Sequence, residues 1–233
     1  MVNLRNLTKK FEGHEVINIE SLTISRGTCF GLVGNNGAGK TTLLRLLLDL
    51  IKPTTGEVQI DNQVVRNTEN WKKNVGSYID QHFLISYLMP AEYFSFVGDL
   101  HEYSETDINI FWKKFEPLFN GEITPTSKNL IRSLSKGNAK KVGIAAAFIG
   151  NPKLILLDEP FENLDPGSQI KLKQFIIQDR LENDRTYIIS SHALQHVIDI
   201  CQNVGVLHQG KIIKEIEVNE NSLQELELHF NKV

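Results

Sequence analysis

Residues 34–42 read "GNNGAGKTT". From Gly34 to Thr41 the stretch fits G-x-x-x-x-G-K-[ST], and each residue type has a physical reason to be there. Gly34, Gly37 and Gly39 let the backbone wrap close to a phosphate with its N–H groups turned inward. Asn35, Asn36 and Ala38 complete the loop between them. A helix opening at this point presents its N-terminal N–H groups and positive dipole end to the same anion. Lys40 adds a point charge for the outer phosphates, Thr41 offers a hydroxyl to Mg²⁺, and Thr42 continues the first turn.

The flanks suit this reading. "TCFGLVG" (residues 28–34) is a nearly continuous apolar run that stops at a glycine, as a central buried strand does. Downstream, Leu43, Leu44, Leu47, Leu48 and Ile51 fall on one helical face. Pro53 and Gly56 are expected to end that helix. Strand, glycine loop and apolar-faced helix together specify a nucleotide cradle but not its chemistry. No "NKxD" guanine-reading motif occurs, which argues against a GTPase.

A second apolar strand, "LILLDEP" (residues 154–160), ends in Asp158 and Glu159. Neighbours on a strand point to opposite faces. Asp158 can therefore reach the Mg²⁺ shell while Glu159 is aimed elsewhere, at the water that attacks a γ-phosphate, as its general base or orienting group. A third strand, "IISSH" (residues 188–192), ends in His192. Open α/β sheets collect their ligands at one edge. There a neutral imidazole can bond the γ-phosphate and hold the water and Glu159.

The rest of the chain supplies the frame. Residues 2–33 read as short strands, with "VINIESLTI" alternating as a half-buried strand does. "GEVQIDNQVV" reads as a hairpin turning at Asp61–Asn62. Over residues 82–150 aromatics become frequent, in "HFLISYLMPAEYFSF" and "INIFWKKFEPLF", and helical spacing replaces strand spacing. This stretch is expected to be a helical subdomain inserted into the sheet domain. Beyond it, strands alternate with the helices "GSQIKLKQFIIQDRL" and "ALQHVIDIC", and a hairpin turning at Gln209–Gly210 follows. A short helix, "SLQELELHF", comes last. The expected fold class is α/β, with a mainly parallel core sheet and an N-terminal antiparallel β part. Residues 1–233 form one domain, its catalytic core 1–81 and 151–233 and its helical part 82–150.

Composition excludes several classes. The 233 residues carry 25 Lys+Arg against 28 Asp+Glu, a net charge of −3, so there is no global pull toward nucleic acid or anionic lipid. Cys29 and Cys201 are the two cysteines, too few for a disulfide scaffold and without a CxxC spacing. The N-terminal "MVNLRNLTKKF" lacks a signal peptide's apolar core. Runs such as "LLRLLLDLI" fall far short of the ~20 residues of a membrane helix. Contact with a membrane is therefore expected only through partners.

Taken in order, these motifs resemble the ATP-binding cassette (ABC) family, and the resemblance covers the whole chain. "GNNGAGKTT" looks like its phosphate loop. "YIDQ" supplies Gln81 at the Q-loop position, which in the family touches Mg²⁺ and the coupling interface. "LSKGN", Leu134, Ser135, Lys136, Gly137 and Asn138, stands where the LSGGQ signature belongs. "LILLDEP" matches the strand bearing the Mg²⁺ aspartate and the catalytic glutamate. "NLDP" resembles the D-loop, with Asp165 its acid, and "SSH" the H-loop. Phe11 occupies the position whose ring stacks on adenine, and Val16 would line the same site. Phe11 replaces the commoner tyrosine, and stacking needs only the ring. Asp80 stands where proline is frequent. The signature keeps Ser135 and Gly137, the two positions that contact γ-phosphate in the family, while Lys136 and Asn138 replace glycine and glutamine.

The resemblance implies ATP and Mg²⁺ as cofactors, with Thr41, Gln81 and Asp158 around the metal. It also implies catalytic roles for Glu159, His192 and Gln81. Two cassettes would close head to tail as a homodimer on two ATP molecules, each ATP lying under the other subunit's signature. Hydrolysis would drive separate transmembrane permease subunits at the cytoplasmic face of the membrane, with no nucleic acid involved. "LSKGN" followed by "AKKVGIAAAF" resembles the ABC-2 type exporters. The alternative is a soluble non-transport ABC ATPase, such as the iron–sulfur assembly type. "LSKGN" should open a helix over residues 138–149. A cation near a helix N-terminus is unfavourable by about 0.3–1 kcal/mol, so Lys136 is expected to lie where an anion, the opposing ATP, visits.

Overall fold

The computed structural model describes residues 1–230. The chain opens with strands β1 (Val2–Phe11), β2 (His14–Ile24) and β3 (Cys29–Val33), then helix α1 (Lys40–Leu47). Strands β4 (Thr55–Ile60), β5 (Gln63–Val64) and β6 (Val75–Tyr78) lead to helices α2 (Pro90–Leu100), α3 (Glu105–Phe119) and α4 (Lys136–Ala146). Then follow β7 (Leu154–Asp158), α5 (Pro166–Asn183), β8 (Thr186–Ser191), α6 (Leu194–Ile198), β9 (Asn203–His208), β10 (Lys211–Glu217) and α7 (Ser222–Phe230).

The strands build two sheets. The smaller has the order β2-β1-β4-β5 and is antiparallel. The larger has the order β10-β9-β3-β8-β7-β6 and is parallel from β9 to β6, with β10 added antiparallel at one edge. The two-residue repeat of a strand decides which core each side chain joins. Phe30, Leu32, Leu154, Leu156 and Ile188 pack toward the smaller sheet and α1. Their neighbours Cys29, Val33, Ile155, Leu157 and Ile189 pack on the other face, against the helical layer. With both faces covered, β3 and β7 are buried along their whole length, which is why they read as continuous apolar runs.

Three local expectations are corrected. The N-terminal strands are long, not short: β1 and β2 have 10 and 11 residues and pair along most of them. Helix α1 stops at Leu47, with Leu48 as its cap and Ile51 beyond it. Asp49, at φ 54°, turns the chain before Pro53 is reached. Helix α4 begins at Lys136, two residues ahead of the predicted start, and ends at Ala146. Ser135 makes the difference, because its Oγ accepts from the Asn138 N–H at 3.1 Å and caps the helix. Both predicted hairpin turns are present, with left-handed pairs at Asp61–Asn62 (φ 49° and 64°) and Gln209–Gly210 (φ 45° and 77°).

Candidate functional site

The parallel register brings three strand ends together. Val33 lies opposite Ser191, and Asp158 opposite Ser190. The phosphate loop after β3, the acid pair at the end of β7 and the histidine after β8 therefore emerge at one sheet edge. A cavity of about 320 Å³ opens there, lined by Val16, Asn35, Asn36, Gly37, Gly39, Lys40, Thr41, Thr42 and Glu159.

The loop's shape depends on its glycines at two points. Gly39 sits at φ 108° as the residue before α1, a conformation that side-chain-bearing residues rarely adopt. Gly34 has its Cα so near β9 that a Cβ would lie 2.4 Å from the Leu207 carbonyl oxygen. Lys40, only 7 % exposed, folds back over the loop. Its Nζ donates to the Gly34 oxygen at 2.6 Å and the Asn35 oxygen at 3.4 Å, and lies 3.3 Å from Glu159 Oε1.

Asp158 is buried and accepts on both oxygens. Thr41 Oγ1 donates to Oδ2 at 2.5 Å, and Ser190 Oγ donates to Oδ1. Burial pushes its carboxyl above the usual range, while these two hydroxyls and Lys40 pull the other way. A hydroxyl and a carboxylate in contact form an all-oxygen donor set of the kind Mg²⁺ takes. Ser190 escaped sequence reading. Its Oγ also accepts from the Glu159 N–H at 2.9 Å, so one serine organises both acids. Its place directly across from Asp158 in a parallel pair is the signal that would have found it.

Glu159 is aimed by a different device from the predicted alternation. The strand ends at Asp158, and Glu159 takes a left-handed φ of 45°. Such strain in a non-glycine residue costs about 1–3 kcal/mol and gathers at functional sites. The turn points its carboxylate back into the cavity. There Oε2 meets His192 Nδ1 at 3.0 Å and the His192 N–H at 3.2 Å. His192 is exposed on its outer side.

Other sequence-predicted residues lie apart from this cavity. Phe11 is 44 % exposed at the end of β1, with Lys9 Nζ 4.7 Å from its ring centroid. Gln81 is exposed and lines a second cavity with Leu134 and Lys136. Asp80, the residue that replaces the frequent proline, fixes the turn there by accepting from the His82 N–H at 3.0 Å. None of Leu134 to Asn138 lines the phosphate-loop cavity. Gly137 packs so close to the loop after β7 that a Cβ would lie 2.7 Å from the Asn163 oxygen. Asp165 caps α5, accepting from the Ser168 N–H at 2.9 Å and the Ser168 hydroxyl. These bonds, with Lys141 nearby, hold its carboxyl down at about 2.

Comparison with known proteins places the arrangement. The sequence pattern described as "ABC transporter" matches residues 17–162. The bacitracin transport ATP-binding protein BcrA of Enterococcus faecalis is 31% identical over 222 residues, covering 94% of this chain and 70% of that protein. The lantibiotic transport ATP-binding protein SrtF of Streptococcus pyogenes is 31% identical over 232 residues, covering 97% and 95%. Among solved structures, the dimeric post-hydrolysis state of the ATP-binding cassette MJ0796 bound to ADP and Pi superposes with a TM-score of 0.81 at 25% identity, covering 94% of this chain and 99% of that one.

Proposed function

Because the chain belongs to the ABC transporter family, as an ATP-binding subunit whose ATP hydrolysis is coupled to transport, we propose the following division of labour among its residues. The phosphate loop, Gly34 to Thr42, wraps the phosphates of ATP, with Lys40 on the outer ones. Thr41 and Asp158 would hold Mg²⁺, which would supply charge neutralisation for phosphoryl transfer. Glu159 orients the attacking water and takes up its proton, and His192 holds both the Glu159 carboxylate and the γ-phosphate. Phe11 and Val16 flank the adenine. Gln81, the third residue proposed for the metal, lines a different cavity in this conformation. The observation that carries this reading is the convergence of Lys40, Thr41, Asp158, Glu159 and His192 at the ends of three adjacent parallel strands.

Leu134 to Asn138 stand outside their own chain's cavity, which supports a trans role on the ATP of a second copy, with Asp165 at the same interface. A dimeric cassette among the structural relatives supports that arrangement. The test is the mass of the Glu159→Gln chain with and without ATP. ATP-dependent doubling is expected, and a monomer at saturating ATP overturns the sandwich.

Separate permease subunits complete the machine. Among the described residues no helix is long and apolar enough to cross a membrane. A groove of about 380 Å³ between β6 and the helices, lined by Leu50, Phe83, Tyr93, Val97 and His101 among others, suits an apolar docking element. Residues 82–150 would then be the unit that passes motion to the membrane at its cytoplasmic face. Relatives named for bacitracin and lantibiotic transport support the exporter branch and disfavour the soluble iron–sulfur alternative.

A further inference from the structure

We propose that Lys140, on α4, is a positioning residue for the Glu159 carboxylate, and that it ties the signature helix to its own chain's hydrolytic site. The proposal rests on the reading of Glu159 given above.

Lys140 lies in the second turn of α4 and is 8 % exposed. Its Nζ donates to the backbone oxygen of Glu159 at 2.7 Å. Burial lowers its affinity for a proton, and the carboxylates of Glu162, Glu159, Asp158 and Asp80 act in the opposite direction. Among the described residues no carboxylate comes within ion-pair distance of this ammonium. A buried charge supported by one neutral carbonyl is costly, and an apolar residue of similar length would fill the space without that cost.

The acceptor explains the placement. Glu159 is the residue at φ 45°, a turn that relaxes unless its surroundings over-determine it. Its peptide groups are held on both sides, the N–H by Ser190 Oγ at 2.9 Å and the C=O by Lys140. Removing either bond frees φ to return to the extended region. The carboxylate then swings away from Lys40 and His192.

The next residue extends the grip. Lys141, 2 % exposed, lies 3.7 Å from Asp165 Oδ2 and 3.4 Å from Glu122 Oε2. Helix α4 therefore holds the loop after β7 at its start, through Glu159, and at its end, through Asp165. Gly137 packs on Asn163 between them. The same helix begins at Ser135 and Lys136, the residues assigned to the partner's ATP. A shift of α4 on engaging that ATP is transmitted through little more than one helical turn to the carboxylate that acts on this chain's own ATP.

The test is steady-state ATP hydrolysis by the full chain as Lys140→Met, Lys140→Gln and Lys140→Arg. ATP affinity and melting temperature are measured beside it. Lys140→Met is expected to lose about tenfold or more in kcat with KM and ATP affinity within about twofold of wild type. Lys140→Arg, which keeps a charged donor, restores most of kcat, and Lys140→Gln falls between. If Lys140→Met melts below the assay temperature, the Arg and Gln variants decide by the same split. Wild-type kcat in Lys140→Met, or a parallel fall in kcat and rise in KM across the series, overturns the proposal. Glu159→Gln and Lys40→Ala run in the same assay keep the two readings distinct. If Glu159→Gln is inactive while Lys140→Met turns over normally, only the positioning role falls. If Glu159→Gln turns over normally, the reading of Glu159 itself falls.

Discussion

The Lys40 ammonium and the Glu159 carboxylate face each other across 3.3 Å. Both side chains are largely buried. On the role proposed for Lys40, the carboxylate sits against the charge assigned to the outer phosphates of ATP, and an incoming γ-phosphate would have to displace it.

Replacing Glu159 with glutamine removes that internal competitor while keeping its shape. ATP should bind the Glu159→Gln chain about fivefold more tightly, roughly 1 kcal/mol, the scale of one charge-assisted contact. A binding titration of both chains, at concentrations low enough that ATP does not pair the copies, reads this. Weaker binding would show that the pair supports the phosphate loop and does not compete with phosphate.

Lys136 is the first residue of α4 and is exposed. A cation there opposes the helix dipole and would be compensated by the phosphate of the proposed trans ATP. In a Glu159→Gln background, Lys136→Gly should weaken ATP-driven dimerisation at low salt by about three- to fivefold, and the difference should fade as salt rises. Light scattering across a salt series checks this. Equal dimerisation at every salt concentration removes Lys136 from the interface.

Gly137 has no room for a side chain beside the Asn163 oxygen. Gly137→Ala forces the loop after β7 outward, which should cost about 1–3 kcal/mol in a urea melt and impair dimerisation further. Unchanged stability would mean that the loop yields freely.

Asp179 is 2 % exposed and is bound by Lys114 at 2.8 Å, Arg185 at 2.6 Å and the Tyr187 hydroxyl at 2.5 Å. Burial alone would raise its carboxyl, but these donors outweigh it and hold the group below the usual range. Its contribution is therefore complete above the unfolded value, about 4, and is lost as pH falls through the lower folded value. Asp179→Asn leaves the buried Arg185 without its counter-charge, and the exposed Lys114 without its partner, and should cost about 3–5 kcal/mol at pH 7. Urea melts should show wild type and variant converging as pH drops below about 4; a pH-independent gap contradicts the assignment.

Much of the site was legible because its chemistry is written in contiguous residues. The phosphate loop, "LILLDEP" and "SSH" each name a strand end, and alternating strands and helices imply the parallel order that brings them together. What stayed hidden depends on backbone angles and on distances between residues far apart in the sequence. Nothing in "DEP" announces that Glu159 turns left-handed, nor that Ser190 would bond both acids. The start of α4 stays hidden because "LSKGN" reads as a phosphate-contacting motif, and nothing in it announces that Ser135 also caps the helix. Lys140 and Asp179 look like ordinary helical charges until the fold buries them.

Hydrolysis by the Glu159→Gln chain is the most direct measurement of the central claim, that the three strand ends form an ATP-hydrolysing centre. With saturating ATP and Mg²⁺, the unaltered chain should release phosphate over many turnovers. Glu159→Gln should bind ATP undiminished and release phosphate at least about a hundredfold more slowly, the scale of a lost general base. Phosphate release by Glu159→Gln at the wild-type rate would contradict it.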